Sequence, residues 1–129
     1  MNITIVAERT PRASHFESIL REEFDRSVSV NLISYKELFD VNTDGKKTLI
    51  VIDLMDFERS AFKIIEHLKD AHSSAKVLAL HIYQSEELIE PLFKKGIDGY
   101  ISSDPTRQEF LKAVKKIMGG ETYMPDFSS

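Results

Sequence analysis

Asp53 closes the most apolar run in the chain, Thr48-Leu49-Ile50-Val51-Ile52, so its carboxylate stands where water is scarce. An ionised acid in such a place is costly unless something pairs with it. Other short apolar runs end in Ala7-Glu8, in His81-Ile82-Tyr83 and in Ser102-Ser103. These ends bring carboxylates, an imidazole and hydroxyls. His81 has the reach to pair with Asp53 directly. A carboxylate beside it would raise the histidine pKa and make the site pH-sensitive. The alternative is a neutral histidine that caps its strand and bonds to a loop carbonyl. Other chemistries are excluded at once. There is no Cys, hence no thiolate metal site, cysteine nucleophile or disulfide. Glu8-Arg9-Thr10-Pro11 contains no glycine, so no phosphate-cradling loop follows the first run. No nucleophile–base pair is evident, and an enzyme would rest on fold analogy alone.

The elements that must position these residues alternate in period. Ile3-Thr4-Ile5-Val6-Ala7 reads as a buried strand. Thr10-Pro11 offers a cap and a first-turn proline, and Ala13, Phe16, Ile19, Leu20 and Phe24 then recur on one helical face. Val28 to Ile33 alternates with period two, as a strand near a sheet edge does. A helical turn or two over Tyr35 to Phe39 and a polar loop through Asn42-Thr43-Asp44-Gly45 lead to the strand Thr48 to Leu54. That strand is continuously apolar, as expected of a central parallel strand covered on both faces.

Ala61, Ile64, Ile65, Leu68 and Ala71 predict a third helix, and Val77 to Tyr83 a fourth strand. The next helix carries Leu88, Ile89, Leu92 and Phe93, but Pro91 lies inside it and predicts a kink or a start near Glu90. Gly96 ends it. Tyr100-Ile101 marks a short fifth strand. Asp104-Pro105 or the box Thr106-x-x-Glu109 opens a last helix with Phe110, Leu111, Val114, Ile117 and Met118 on one face, stopped by Gly119-Gly120. His15, His67 and His72 fall on predicted helices without carboxylate partners and read as surface residues.

Five strands alternating with five helices argue for right-handed crossovers, hence an α/β fold with a doubly wound five-stranded parallel sheet and helices on both faces. Such sheets bind ligands outside the carboxyl ends of their strands, at the topological switch point. One domain over 1–129 is expected, with the alternation over 2–119 and a tail over 120–129. With 17 basic and 21 acidic residues, net charge −4, the chain offers no broad phosphate-binding surface and no nucleic-acid contact of its own. The longest apolar run is too short for a bilayer, and the N-terminus lacks a signal-peptide pattern, so a cytoplasmic domain is expected.

The set of strand ends resembles the receiver domain of bacterial response regulators, the flavodoxin-like fold of the chemotaxis regulator. The likeness covers nearly the whole chain. It is carried by Thr48-Leu49-Ile50-Val51-Ile52-Asp53-Leu54 and by Gly96-Ile97-Asp98-Gly99-Tyr100-Ile101. Ala113-Val114-x-x-Ile117-x-x-Gly120-Glu121-Thr122-Tyr123 resembles the end of receivers that precede LuxR-type DNA-binding domains. No helix-turn-helix lies within these residues, which fits a stand-alone receiver or a piece of a longer regulator equally.

The resemblance implies that Asp53 is the phospho-acceptor, supplied by a histidine kinase or phosphotransfer protein. It implies Mg²⁺ held by Glu8, Asp53 and the Met55 carbonyl, and Tyr100 as a switch aromatic. It also implies signalling to a protein partner or a second copy through the face built by the fourth helix, fifth strand and fifth helix. The pattern is degenerate, however. Ala7 replaces the first acid of the metal pair, which weakens Mg²⁺ binding. His81, 28 residues after Asp53, replaces the hydroxyl that meets the phosphoryl group, and Ser103, 22 residues further on, replaces the lysine. Two readings therefore stand side by side: a receiver still phosphorylated at Asp53, and a phosphorylation-independent interaction or dimerisation module of the same fold.

Overall fold

A computed structural model describes residues 1–8, 10–41, 43 and 47–125, with the backbone alone at Thr10. Five strands, β1 (Asn2–Val6), β2 (Ser29–Ile33), β3 (Thr48–Asp53), β4 (Lys76–His81) and β5 (Gly99–Ser102), alternate with five α-helices. These are α1 (Thr10–Glu23), α2 (Tyr35–Leu38), α3 (Ala61–Ala71), α4 (Glu86–Lys94) and α5 (Arg107–Met118). The sheet is all parallel, in the order β2-β1-β3-β4-β5. The order reverses between β1 and β3, so Ala7, Glu8 and Asp53 flank the switch point where such sheets place their sites.

Period two decides which face each strand residue serves. Ile3, Ile5, Leu49, Val51, Leu78 and Leu80 meet α1 and α5 in one core. Val6, Ile50, Ile52, Val77 and Ala79 meet α2, α3 and α4 in the other. Every residue of β3 is buried, as its continuous apolarity predicts. β2 is an edge strand, as its alternation predicts.

Local chemistry sets the boundaries. Ser34 and Glu37 form a reciprocal capping box that starts α2, a signal the residue-type reading passed over. Of the two possible starts for the last helix, Thr106 is the cap, accepting from the Glu109 N–H. Gly96 takes φ +116° at the end of α4, a conformation that side chains avoid. A Cβ at Gly99 would stand 2.5 Å from Ile117 Cδ1, so the fifth strand needs glycine there for α5 to close.

Four expectations are corrected. α4 runs from Glu86 through Pro91, so of the two alternatives, a kink or a start near Glu90, the late start is not the one found. The proline removes a single backbone bond, and buried Ile89 and Leu92 anchor the helix on either side of it. β4 ends at His81, leaving Ile82 exposed instead of extending the strand. His72 is buried at the end of α3 and not on the surface. Tyr123, within the segment 120–129 expected only as a tail, pairs with the sheet. Tyr123 bridges Gly99, its N–H donating to the Asp98 carbonyl while Tyr100 N–H donates to its own. That contact covers the β5 edge. Asn42, Asp44, Gly45 and the last four residues of the tail lie outside the described residues.

Candidate functional site

The carboxylate of Asp53 is 1% exposed at the end of β3, and its charge is met from α1. Arg12 Nε donates to Asp53 Oδ2 at 2.6 Å, and Arg12 Nη2 reaches Oδ1 at 3.3 Å. The same Nη2 donates to the Ser103 carbonyl at 2.5 Å. Asp53 also caps a 3₁₀ turn over Leu54–Asp56 by accepting the Met55 N–H. The fork of an arginine matches a carboxylate in a way that a lysine point charge does not. Hydrogen bonding to Asp53 raises the Arg12 pKa against the cost of partial burial, helped by the fields of Asp53, Asp56 and Asp104. The guanidinium also lies 5.5 Å from the Phe16 ring centroid.

Arg12 was not among the residues singled out from the sequence, yet a signal was available. α1 has no acid in its first turn, and Arg12 sits at the positive end of the helix dipole. A cation placed there calls for an anion from elsewhere. Ala7 and Ser103 together remove one negative and one positive charge from the resembled pattern, so the vacancy for a new cation could be read as well.

Each expected site residue has a definite place. Glu8 faces away from Asp53: its Oε1 accepts the Tyr35 N–H at 2.9 Å, and its own N–H donates to Asp56 Oδ2 at 2.7 Å. Met55 contributes its N–H to Asp53. Ser103 takes part through its carbonyl, not its hydroxyl. His81 does not pair with Asp53, because Arg12 holds both carboxylate oxygens. Its ring lies 4.4 Å from that of Tyr83, and its Nδ1 is buried with no hydrogen-bond partner among the described residues. The rise in its pKa that pairing with Asp53 would bring is not found: burial lowers it, and the field of Asp53 only partly opposes this. Tyr100 is 1% exposed and donates from its hydroxyl to the Tyr83 carbonyl at 3.0 Å. Burial pushes that phenol well above its ordinary range.

The donors present do not fit Mg²⁺. Both Asp53 oxygens are taken by Arg12, a Glu8 oxygen by a backbone N–H, and a dication on Asp53 would face the guanidinium. Among the described residues no three His, Asp or Glu side chains converge on one point. What the arrangement does is hold a buried carboxylate by an internal cation.

No protein-family model matches the chain. It is 25% identical over 125 residues to the oxygen regulatory protein NreC of Staphylococcus haemolyticus (strain JCSC1435), covering 96% of this chain and 58% of the relative. The chain thus spans little more than half the length of the curated relatives it matches. A LuxR-family two-component response regulator from Aurantimonas sp. SI85-9A1 superposes with a TM-score of 0.80 at 17% identity, over 98% of this chain and 91% of that one. The isolated receiver domain of RcsB from Salmonella enterica serovar Typhimurium, with the phosphomimetic BeF₃⁻, gives 0.78 at 14% identity, over 98% and 94%. The chain therefore has the five-stranded parallel fold of these receiver domains, and its sequence is similar to that of NreC over nearly its whole length.

Proposed function

We propose that this receiver-type domain signals without Mg²⁺-dependent phosphorylation of Asp53, as a non-catalytic protein-interaction module of a cytoplasmic two-component regulator. The observation that carries the reading is the Arg12 fork on Asp53. A carboxylate that attacks phosphorus needs a free oxygen, and cations must gather round the incoming phosphoryl group. Here Arg12, the one cation that the described residues bring to Asp53, is already spent on the nucleophile. His81 and Ser103 supply no replacement charge, since burial favours the neutral imidazole and a serine carries none.

The output belongs to the face of α4, β5 and α5. Leu88 of α4 is 52% exposed, with Glu86, Glu87 and Glu90 on the same helix, and Ile82 in the segment leading into α4 is 57% exposed. Exposed apolar side chains with carboxylates on the same helix suit a protein partner or a second copy of the chain. In a longer regulator of the NreC kind the domain would pass its state to a transcription-regulating part.

The test is intact-mass spectrometry after incubation with Mg²⁺ and acetyl phosphate, with Asp53→Asn alongside. The expected result is no phosphoryl adduct on either protein and no Mg²⁺ binding by titration calorimetry. One adduct on the wild type, absent from Asp53→Asn, would overturn the reading and restore Asp53 as a phospho-acceptor served by a histidine kinase or phosphotransfer protein.

A further inference from the structure

Arg12 touches more than the carboxylate. Through Nε and Nη2 it joins the first turn of α1 to the end of β3, and through Nη2 again to the Ser103 carbonyl, between β5 and the cap of α5. One side chain therefore fixes three elements that are far apart in sequence. A second link continues from the same strand. Tyr100 of β5 donates to the Tyr83 carbonyl, in the segment that leads from β4 into α4 and carries exposed Ile82. Arg12 thus stands at one end of a series of contacts along β5 whose other end is the Tyr83 carbonyl, in the segment that enters α4.

We propose that the Arg12 clasp is a built-in lock that holds the 100–106 segment, and through Tyr100 the 81–88 segment, in one conformation without metal or phosphoryl group. The proposal deepens the phosphorylation-independent reading, since it assigns to Arg12 the regulation of that same site. Its physical basis is geometric. A guanidinium is planar and has five donors, so it can serve Asp53 and a carbonyl on another strand at once. Asp53 is buried, so letting go of Arg12 would leave a carboxylate with only the Met55 N–H, a state of much higher free energy. A contact with such a penalty for opening suppresses excursions to any other arrangement of the loop it holds.

The lock is tested by backbone ¹⁵N relaxation dispersion on the full chain. Arg12→Gln alone leaves an unpaired buried acid and could unfold the domain, so the main variant is Arg12→Gln with Asp53→Asn, which removes both charges. A second variant, Arg12→Lys, keeps the charge and loses the fork. The wild type should show flat profiles at 81–88 and 100–106, with or without Mg²⁺. The double variant should show millisecond exchange there, with dispersion amplitudes up by roughly fivefold or more, and Arg12→Lys should lie between the two. Flat profiles in the double variant, or equal exchange in the wild type, would sink the proposal. So would Arg12→Lys behaving as the wild type, because charge alone would then suffice. A phosphoryl adduct on the wild type defeats the functional reading instead, and does so whatever the dispersion profiles show.

Discussion

Asp53 and His72 are both polar, both almost fully buried, and sit at opposite ends of the same sheet. They are satisfied in different currencies. Asp53, at the carboxyl end of β3, is held by a charge from 41 residues away. His72, at the end of α3 beside the strands' amino ends, is held by neutral groups: Nε2 lies 2.6 Å from the Leu38 carbonyl and Nδ1 2.9 Å from Thr43 Oγ1. A carbonyl only accepts, so Nε2 donates to Leu38, while Nδ1 pairs with the Thr43 hydroxyl. The histidine ties α2 and the loop before β3 to α3. Nothing in it suggests exchange with another partner. The Asp53 site uses the same economy of satisfied polar groups, yet its cation is 28% exposed and sits on a helix end. The difference separates a tie to neutral partners from one that a buried charge makes costly to open.

Breaking the charged pair should have the largest effect. Arg12→Ala strands a buried carboxylate, and the expected loss in urea unfolding is about 3 kcal/mol, at the low end for a broken buried pair because the arginine is partly solvated. Adding Asp53→Asn to Arg12→Ala should recover a large part of that loss. If the double variant is no more stable than Arg12→Ala, the carboxylate was not what made the deletion costly, and the contrast with His72 fails.

The neutral tie should yield less. Thr43→Val removes one hydroxyl with little change of shape and leaves His72 Nδ1 unpartnered, for an expected loss of about 1 kcal/mol. The comparison sharpens if this loss is unaffected by salt, since the hydroxyl removed carries no charge. A loss equal to that of Arg12→Ala would mean that burial alone, whatever the partner's charge, sets the cost.

The fold was legible because period two and period 3.6 are written directly in the apolar residues: Leu49 and Val51 against Ile50 and Ile52, or Phe110, Val114 and Ile117 on α5. Asp53 was legible as well, as the acid that ends the deepest strand. Its partner was not. Periodicity assigns a residue to a face, but Arg12 acts along the length of its side chain, across two strands, to a carbonyl that no residue type reveals. His81 was the nearer guess in chemistry and failed because a second cation had already claimed both oxygens. His72 was misplaced for a related reason. A histidine at a helix end looks solvated until a short α2 and a threonine from a loop fold over it, which is tertiary information. Of the two alternatives at Pro91, the late start of α4 failed because a single lost bond weighs less than two buried anchors.

His81 offers the smallest and most discriminating effect. Its pKa lies below the ordinary 6.5 because burial disfavours the charged ring more than the field of Asp53 favours it. Between the depressed folded value and 6.5 the unfolded chain binds more protons than the folded one, so stability rises with pH across that window. On acidification the loss therefore begins near 6.5 and is complete below the folded value. His81→Asn removes the titration and keeps a polar side chain. Thermal melts of both proteins from about pH 7.5 to about pH 5.5 should show a steeper acid decline in the wild type, other carboxylates cancelling in the difference. Parallel curves would mean that the ring titrates as it does in the unfolded chain. A wild type that gains stability on acidification relative to His81→Asn would mean that the imidazolium finds Asp53 after all. The carboxylate would then be shared between two cations, and the site would respond to pH as well as to whatever loosens Arg12.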